Sequence, residues 1–200
     1  MILIVKNLEN TYKSGFNSWS YVLDQNIALF FWGLKGSLLY DIFNVITGKV
    51  YILITCLPFI IIAFINLKKM FLIYIFTALI ALSVSDILCY RVLKPSIKRL
   101  RPVYELKLAE QKSPDAGIIY SMPSNHAANI TAFFIVYFFM IKKFWSVLLT
   151  NSILISLSRI IIVKHYMTDV IAGIAVGLLI GLTAIVVVTK IQRKYFYTDE

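Results

Sequence analysis

Cysteine is scarce: Cys56 and Cys89 are the only two among 200 residues, and neither has a second Cys or a His at ligand spacing. That pattern excludes a disulfide framework and a cysteine-based zinc site. Acidic residues are also few, 10 against 20 Lys and Arg, leaving a net charge of +10. Only two histidines occur, His126 and His165. No internal repeat, low-complexity tract or Ser/Gly linker divides the chain, so residues 1–200 read as a single domain. The opening MILIVKNLENTYKSG has too short an apolar stretch to be a cleavable signal peptide.

What the chain has in excess is apolar surface. Hydrophobic residues make up 60% of it, against roughly 45–50% in soluble globular chains. Five apolar runs approach or reach the length of about 20 residues that crosses a bilayer core of about 30 Å. They are Val50 to Leu67, Met70 to Tyr90, Ala127 to Ile141, Phe144 to Val163 and Val170 to Val188. The fold expected is therefore all-α, a polytopic membrane helical bundle of five or six transmembrane helices. Tyr21 to Ile46 is apolar but interrupted by Asp24, Lys35, Asp41 and Asn44. It reads as a sixth span or, by preference, an amphipathic helix in the interface. Residues 1–46 thus form an amphipathic or first-span region, and 47–190 the core bundle.

A strongly basic chain can bind nucleic acid, but the placement of these charges argues against it. Lys68–Lys69, Lys142–Lys143 and Lys190, Arg193 and Lys194 each follow a span, and alternation of five spans puts all three clusters on one side. The positive-inside rule makes that side cytoplasmic. The remaining basic residues, from Arg91 to Lys112 together with Arg159 and Lys164, fall on the opposite side. Topology gives no reason for them there, so function must.

Three patterns lie on that outer side: Lys94 with Arg101-Pro102 (94–102), Pro123-Ser124-Asn125-His126 (123–126), and Ser158-Arg159 with His165 and Asp169 (158–169). Their chemistry suits phosphoryl transfer. Charge on the equatorial oxygens of a transferring phosphoryl group needs fixed positive donors, which Lys94, Arg101 and Arg159 can supply. Pro123–His126 precedes an apolar helix, whose first backbone N–H groups and dipole favour an anion, and Ser124 can add a hydroxyl. His165 and Asp169 are four apart, so on a helix they share a face and a carboxylate–imidazole hydrogen bond is feasible. Singly, each residue has a plainer reading: Lys and Arg at helix ends snorkel to headgroups, and Asp169 could cap the last span. Asp86 inside the second strong span is costly unless paired, and reads as a structural partner that braces a basic residue or faces the site from below. Lys98, Arg99 and Tyr104 could line a headgroup pocket or a solvated face.

Taken together, the three patterns resemble the signature motifs of the type 2 phosphatidic acid phosphatase superfamily, which includes bacterial lipid phosphatases and vanadium haloperoxidases. The resemblance runs from Lys94 to Asp169. It implies that His165 is a nucleophile forming a phosphohistidine, that Asp169 orients it, and that His126 protonates the leaving group and then activates water. Lys94, Arg101, Ser124, Asn125 and Arg159 would bind the phosphate. Where the family usually has Gly, this chain has Asn125, a residue that tolerates a left-handed turn better than most.

The function so implied is hydrolysis of a membrane lipid phosphate or pyrophosphate, without metal or cofactor. Undecaprenyl pyrophosphate is the first choice, followed by lipid A 1-phosphate and phosphatidylglycerol phosphate. The expected setting is a bacterial inner membrane, with the site on its periplasmic or extracellular face. The sequence leaves the oligomeric state open. Two other classes use the same residues: a lipid phosphotransferase, and a non-enzymatic transporter or scaffold that keeps a phosphate-binding face.

Overall fold

The computed structural model describes residues 18–108 and 119–196. The opening fifteen residues and part of the Lys94–Ser124 connection, with Lys112, lie outside them. The described residues form helices and no sheet: α1 (Ser18–Gly33), α2 (Leu38–Ile46), α3 (Lys49–Leu67), α4 (Phe71–Ile97), a single turn α5 (Pro102–Glu105), α6 (Asn125–Ile141), α7 (Trp145–Ile161) and α8 (Met167–Phe196). An isolated bridge pairs Leu100 with Tyr120. The protein is an all-α membrane bundle. Helices α3, α4 and the 27-residue stretch of α8 are long and apolar enough to cross a bilayer, whereas α6 and α7 are apolar at 17 residues each. At 1.5 Å per residue, those two extend about 26 Å.

The apolar side chains point mostly outward. Val50, Leu53, Phe64 and Leu179 are each more than 60% exposed, as lipid-facing positions are, because lipid tails are as apolar as the side chains themselves. What packs inside is small. Ala127, Ala128 and Ala132 on α6 are fully buried, and Thr77, Ala78, Ala81 and Ser85 on α4 face them. On α8, Gly173 and Gly177 let that backbone lie directly against α6. A Cβ at Gly173 would sit 2.5 Å from the Ser124 carbonyl oxygen, and one at Gly177 would meet the Ala128 carbonyl oxygen closer still. Small residues four apart are how membrane helices approach without a hydrophobic driving force. Helix α6 is consequently the central post, with α4, α7 and α8 around it.

Residues 21–46 are not one continuous helix, and the pair they form has the length and hydropathy of a broken span or a re-entrant loop. They form two helices bent by 111° at the Gly33–Ser37 turn, where Gly36 adopts φ +86°. The polar residues explain the break. Asp24 is drawn into the bundle at 1% exposure, which fixes α1 against the core through Ala28, Val163 and Tyr166. Helix α2 keeps the amphipathic character, since none of its residues is buried and Leu38, Ile42 and Val45 are exposed.

Candidate active site

All three motifs meet at one end of the bundle, formed by the C-terminal end of α4, the N-termini of α6 and α8, and the C-terminal end of α7. Backbone and side-chain bonds stitch them together. Arg101 N–H donates to the Ile119 carbonyl at 3.0 Å and Ser121 N–H to the Arg99 carbonyl at 2.8 Å, joining the first motif to the approach of the second. Ser124 N–H donates to the Asp169 carbonyl at 3.0 Å, joining the second to the third. Arg101 closes the ring by donating to the Lys164 carbonyl at 3.3 Å.

Local structure explains how each side chain is presented. Near its end, α4 passes through a π-helical turn, Leu88–Leu93, immediately before Lys94; such turns re-aim side chains and recur at functional sites. Lys94 is buried at 3% exposure. Ser124 occupies the N-cap of α6, yet its hydroxyl makes no capping bond and is buried without a protein partner. The first-turn N–H groups of a helix have no intrahelical partner, so hydroxyl and backbone together form a donor set for an anion. Asn125 is the first residue of α6 and has no positive φ. The turn that sequence reasoning allowed it is not used; instead its amide donates to Asp86 at 2.9 Å. Asn129 donates to the same carboxylate at 3.3 Å, so the partners of Asp86 are two amides on α6 rather than a basic residue.

Helix α7 ends in a tight left-handed cap. Val163 N–H donates to the Ile160 carbonyl at 2.9 Å, and Lys164 N–H and His165 N–H donate to the Arg159 carbonyl at 3.1 and 3.0 Å. This Schellman-type closure requires a left-handed residue, usually Gly, and here Val163 takes it at φ 56° while fully buried. A β-branched residue there is strained; its contacts with Ala28 and Tyr166 hold it in place. The cap turns His165 inward beside Arg159.

His165 is 2% exposed, and its Nδ1 lies 3.6 Å from Asp169 Oδ2. That is ion-pair range but beyond a hydrogen bond, so the expected carboxylate–imidazole bond is open by several tenths of an ångström. Asp169 is instead occupied by the Tyr166 backbone N–H at 2.8 Å and by Arg99 at 2.8 Å. Catalytic hydrogen bonds in unliganded sites are often long and tighten around substrate. Burial holds the pKa of His165 well below its usual 6.5, with Arg101, Arg159, Lys94 and His126 adding in the same direction. Its imidazole is therefore neutral at physiological pH, the form a nucleophile needs. Lys164 is shifted down too, by burial and by Arg159 and Arg101. The site is a concentration of positive charge short of a counter-anion.

The unsatisfied atoms agree. Ser124 Oγ, Arg101 Nε, Arg159 Nε and His165 Nδ1 are all buried without a hydrogen-bond partner in the protein. Such atoms are uncommon in folded chains; His165 Nδ1 faces Asp169, and the other three, with Lys94 and His126 in electrostatic range of His165, suit one multivalent oxyanion. Arg159 also donates to Thr47 Oγ1 at the end of α2, which leaves its Nε for a ligand.

Arg99 and Asp24 are what sequence reasoning missed. Arg99 does not line an open headgroup pocket. It is clamped between Asp24 at 2.7 Å and Asp169 at 2.8 Å, with its side chain 8% exposed, and lies 4.1 Å from the Tyr166 ring centre. Burial lowers its affinity for a proton, but Asp169 and Asp24 more than offset this, so its pKa is raised. Asp24 also accepts from the N–H of Thr168 at 3.1 Å and from its hydroxyl, capping the start of α8. Glu105 receives the hydroxyls of Tyr21 and Tyr166, a second tie from α1 to the site. The available signal was Asp24 itself, a charge inside an apolar segment that must find a partner. Among the described residues, no three His, Cys, Asp or Glu converge as metal ligands would.

The arrangement is thus a set of cationic and neutral donors gathered around a histidine at one end of a membrane bundle. The family model of the PAP2 superfamily matches residues 70–193, and the chain belongs to that superfamily. The fold is also similar to a transmembrane PAP2-type phosphatidylglycerolphosphate phosphatase from Bacillus subtilis, with a TM-score of 0.65 and 20% identity over 96% of each chain. No curated protein matches the chain by sequence. Asp24 and the rest of α1 lie outside the matched stretch.

Proposed function

We propose that the protein hydrolyses the phosphate ester of a membrane lipid through a phosphohistidine on His165. The supporting observation is the convergence of unpartnered buried donors, Ser124 Oγ, Arg101 Nε and Arg159 Nε, around a neutral His165. With Nδ1 turned toward Asp169, Nε2 is the attacking atom. A P–N bond forms as the bond from phosphorus to the lipid oxygen breaks, and His126, protonated once the bound phosphate's negative charge offsets the surrounding cations, gives its proton to that oxygen. In the second step His126 takes a proton from water, the resulting oxygen attacks phosphorus, and the P–N bond breaks to release inorganic phosphate. Lys94, Arg101, Arg159, Ser124 and the first turn of α6, beginning at Asn125, hold the equatorial oxygens, where electrostatic stabilisation is usually the largest contribution. Asp169 orients His165 and stabilises the imidazolium character that develops on attack.

The reading places the site on the face opposite the Lys68, Lys142 and Lys190 clusters, outside the cytoplasm of a bacterial cell by the positive-inside rule. It assigns no metal to the reaction. Two substrates stand side by side: undecaprenyl pyrophosphate, the first expectation from sequence, and phosphatidylglycerolphosphate, which names the structural neighbour. The test is phosphate release by purified protein across a panel of both lipids, phosphatidic acid and lipid A, with EDTA present and no acceptor lipid. Release from at least one lipid, abolished by His165→Ala, supports the reading. Release only on adding an acceptor lipid points to a transferase, and undiminished release by His165→Ala rules out the nucleophile.

A further inference from the structure

Helices α7 and α8 flank the site but do not close on each other. Between them a cleft of ≈ 410 Å³ runs away from the phosphate-binding end, with Thr131 and Phe134 of α6 on its wall. Its α8 side is a single stripe, Met167, Val170, Ile171, Ile174 and Leu178, the spacing of one helix face. Its α7 side includes Ser152, Ser156, Leu157 and Ile160. The small serines leave room, and Ser152 turns its hydroxyl back onto the Leu148 carbonyl at 2.8 Å, so the wall it presents is apolar.

Two features connect this cleft to the site. Ile160 adjoins Arg159, and Val170 adjoins Asp169, so the cleft begins where the proposed phosphate position ends. From Met167 to Leu178 it follows twelve residues of α8, about 16 Å at the helical rise, or about half of a 30 Å hydrocarbon core. A second cleft of ≈ 570 Å³, between α3 and α7, is larger but lines α7 from Phe144 to Leu154. It stops short of Arg159 and lies toward the far end of the bundle.

We infer that the α7/α8 cleft is the hydrocarbon-chain subsite, which holds one substrate chain along a single leaflet while its phosphate is seated among Lys94, Arg101, Ser124 and Arg159. This inference rests on the lipid phosphatase reading and names where the lipid enters: laterally from the bilayer, between α7 and α8. An acyl or prenyl chain fits the lining, since nothing charged projects into it.

The test uses the full chain in nanodiscs and a phosphatidic acid with a diazirine near the end of one acyl chain. Photolysis is expected to label peptides of α7 and α8 around Leu157, Ile174 and Leu178. Labelling confined to the α3/α7 cleft, or spread evenly over the lipid-facing surface, overturns the assignment. Kinetics give a second readout. Ser156→Phe and Ile171→Trp narrow the cleft and are expected to lower the kcat/KM ratio of dipalmitoyl to dihexanoyl phosphatidic acid at least tenfold, whereas Val147→Trp, in the other cleft, is expected to leave that ratio alone. An unchanged ratio in both narrowing variants, in protein with wild-type thermal stability, contradicts the inference. Should wild-type protein release no phosphate from any lipid, the phosphatase reading fails, and the labelling still decides whether the cleft binds a chain.

Discussion

Replacing Asp24 by Asn is the sharpest probe of how α1 supports the site. The substitution keeps shape and removes one charge from a buried triad in which Arg99 bridges Asp24 and Asp169, with side-chain exposures of 8%, 1% and 0%. Removing one partner of a buried ion pair costs about 3–5 kcal/mol. Arg99 keeps Asp169 at 2.8 Å, so the lower end applies, about 3 kcal/mol. For a chain of this length that corresponds to a fall in thermal midpoint of about 6–12 °C. Activity should fall further than stability alone explains, because an Arg99 released from Asp24 is drawn wholly to Asp169 and competes with His165 for that carboxylate. The assay is a thermal midpoint in detergent beside kcat and KM for phosphate release below the midpoint, repeated for Arg99→Met and the double variant. The expected signature is a loss in kcat of about tenfold or more, equal to about 1.4 kcal/mol, with KM little changed and a clearly non-additive double variant. Wild-type midpoint and wild-type kcat in Asp24→Asn would refute the reasoning.

Three further outcomes are expected. Ser124→Ala should leave the thermal midpoint nearly unchanged, because the hydroxyl has no bond in the protein, yet lower kcat/KM by about 100-fold, as loss of one oxyanion donor does; equal losses in both would assign Ser124 to structure. Gly177→Val should prevent α8 from reaching α6, because its Cβ collides with the Ala128 carbonyl, and should abolish folded yield, whereas Leu179→Val on the exposed face should not. Carbon-13 labelling of the two histidines should show that His165 stays neutral in phosphate-free buffer from pH 8 to below its ordinary 6.5, with His126→Gln assigning the signals. Because its folded pKa is depressed, the native state binds this proton less readily than the unfolded chain. The associated stability is therefore intact above about pH 6.5 and declines as pH falls below it, and a His165 signal titrating at 6.5 or above would contradict the buried cationic setting.

Much of this was legible in the sequence because membrane folding is written in long, one-sided signals. Apolar run length marked the five long apolar helices, three of them long enough to cross a bilayer, and the spacing of Lys94, Arg101, His126, Arg159, His165 and Asp169 marked the residues that meet. Contacts set by packing were less legible. The partners of Arg99 depend on how α1 docks, and no local pattern ties residue 24 to residue 99 or 169. The bend after Gly33 had a cue in Gly36, but the four polar interruptions of an apolar segment favour an interfacial helix until Asp24 is seen to have a buried partner. The Gly173, Gly177 and Gly181 ladder is a close-packing face against α6, a signal of spacing that hydropathy does not carry. Asn125 shows the reverse: its identity suggested a turn, whereas its amide serves Asp86 across the α4–α6 contact.

The central claim is that His165 attacks phosphorus, and trapping the intermediate tests it most directly. Purified protein mixed with a lipid bearing a radiolabelled phosphate, quenched in alkali within the first turnover and digested, is expected to carry base-stable, acid-labile label on the peptide containing His165 and none in His165→Ala. Label that is lost in alkali and maps to Asp169, or full turnover by His165→Ala, would contradict the account.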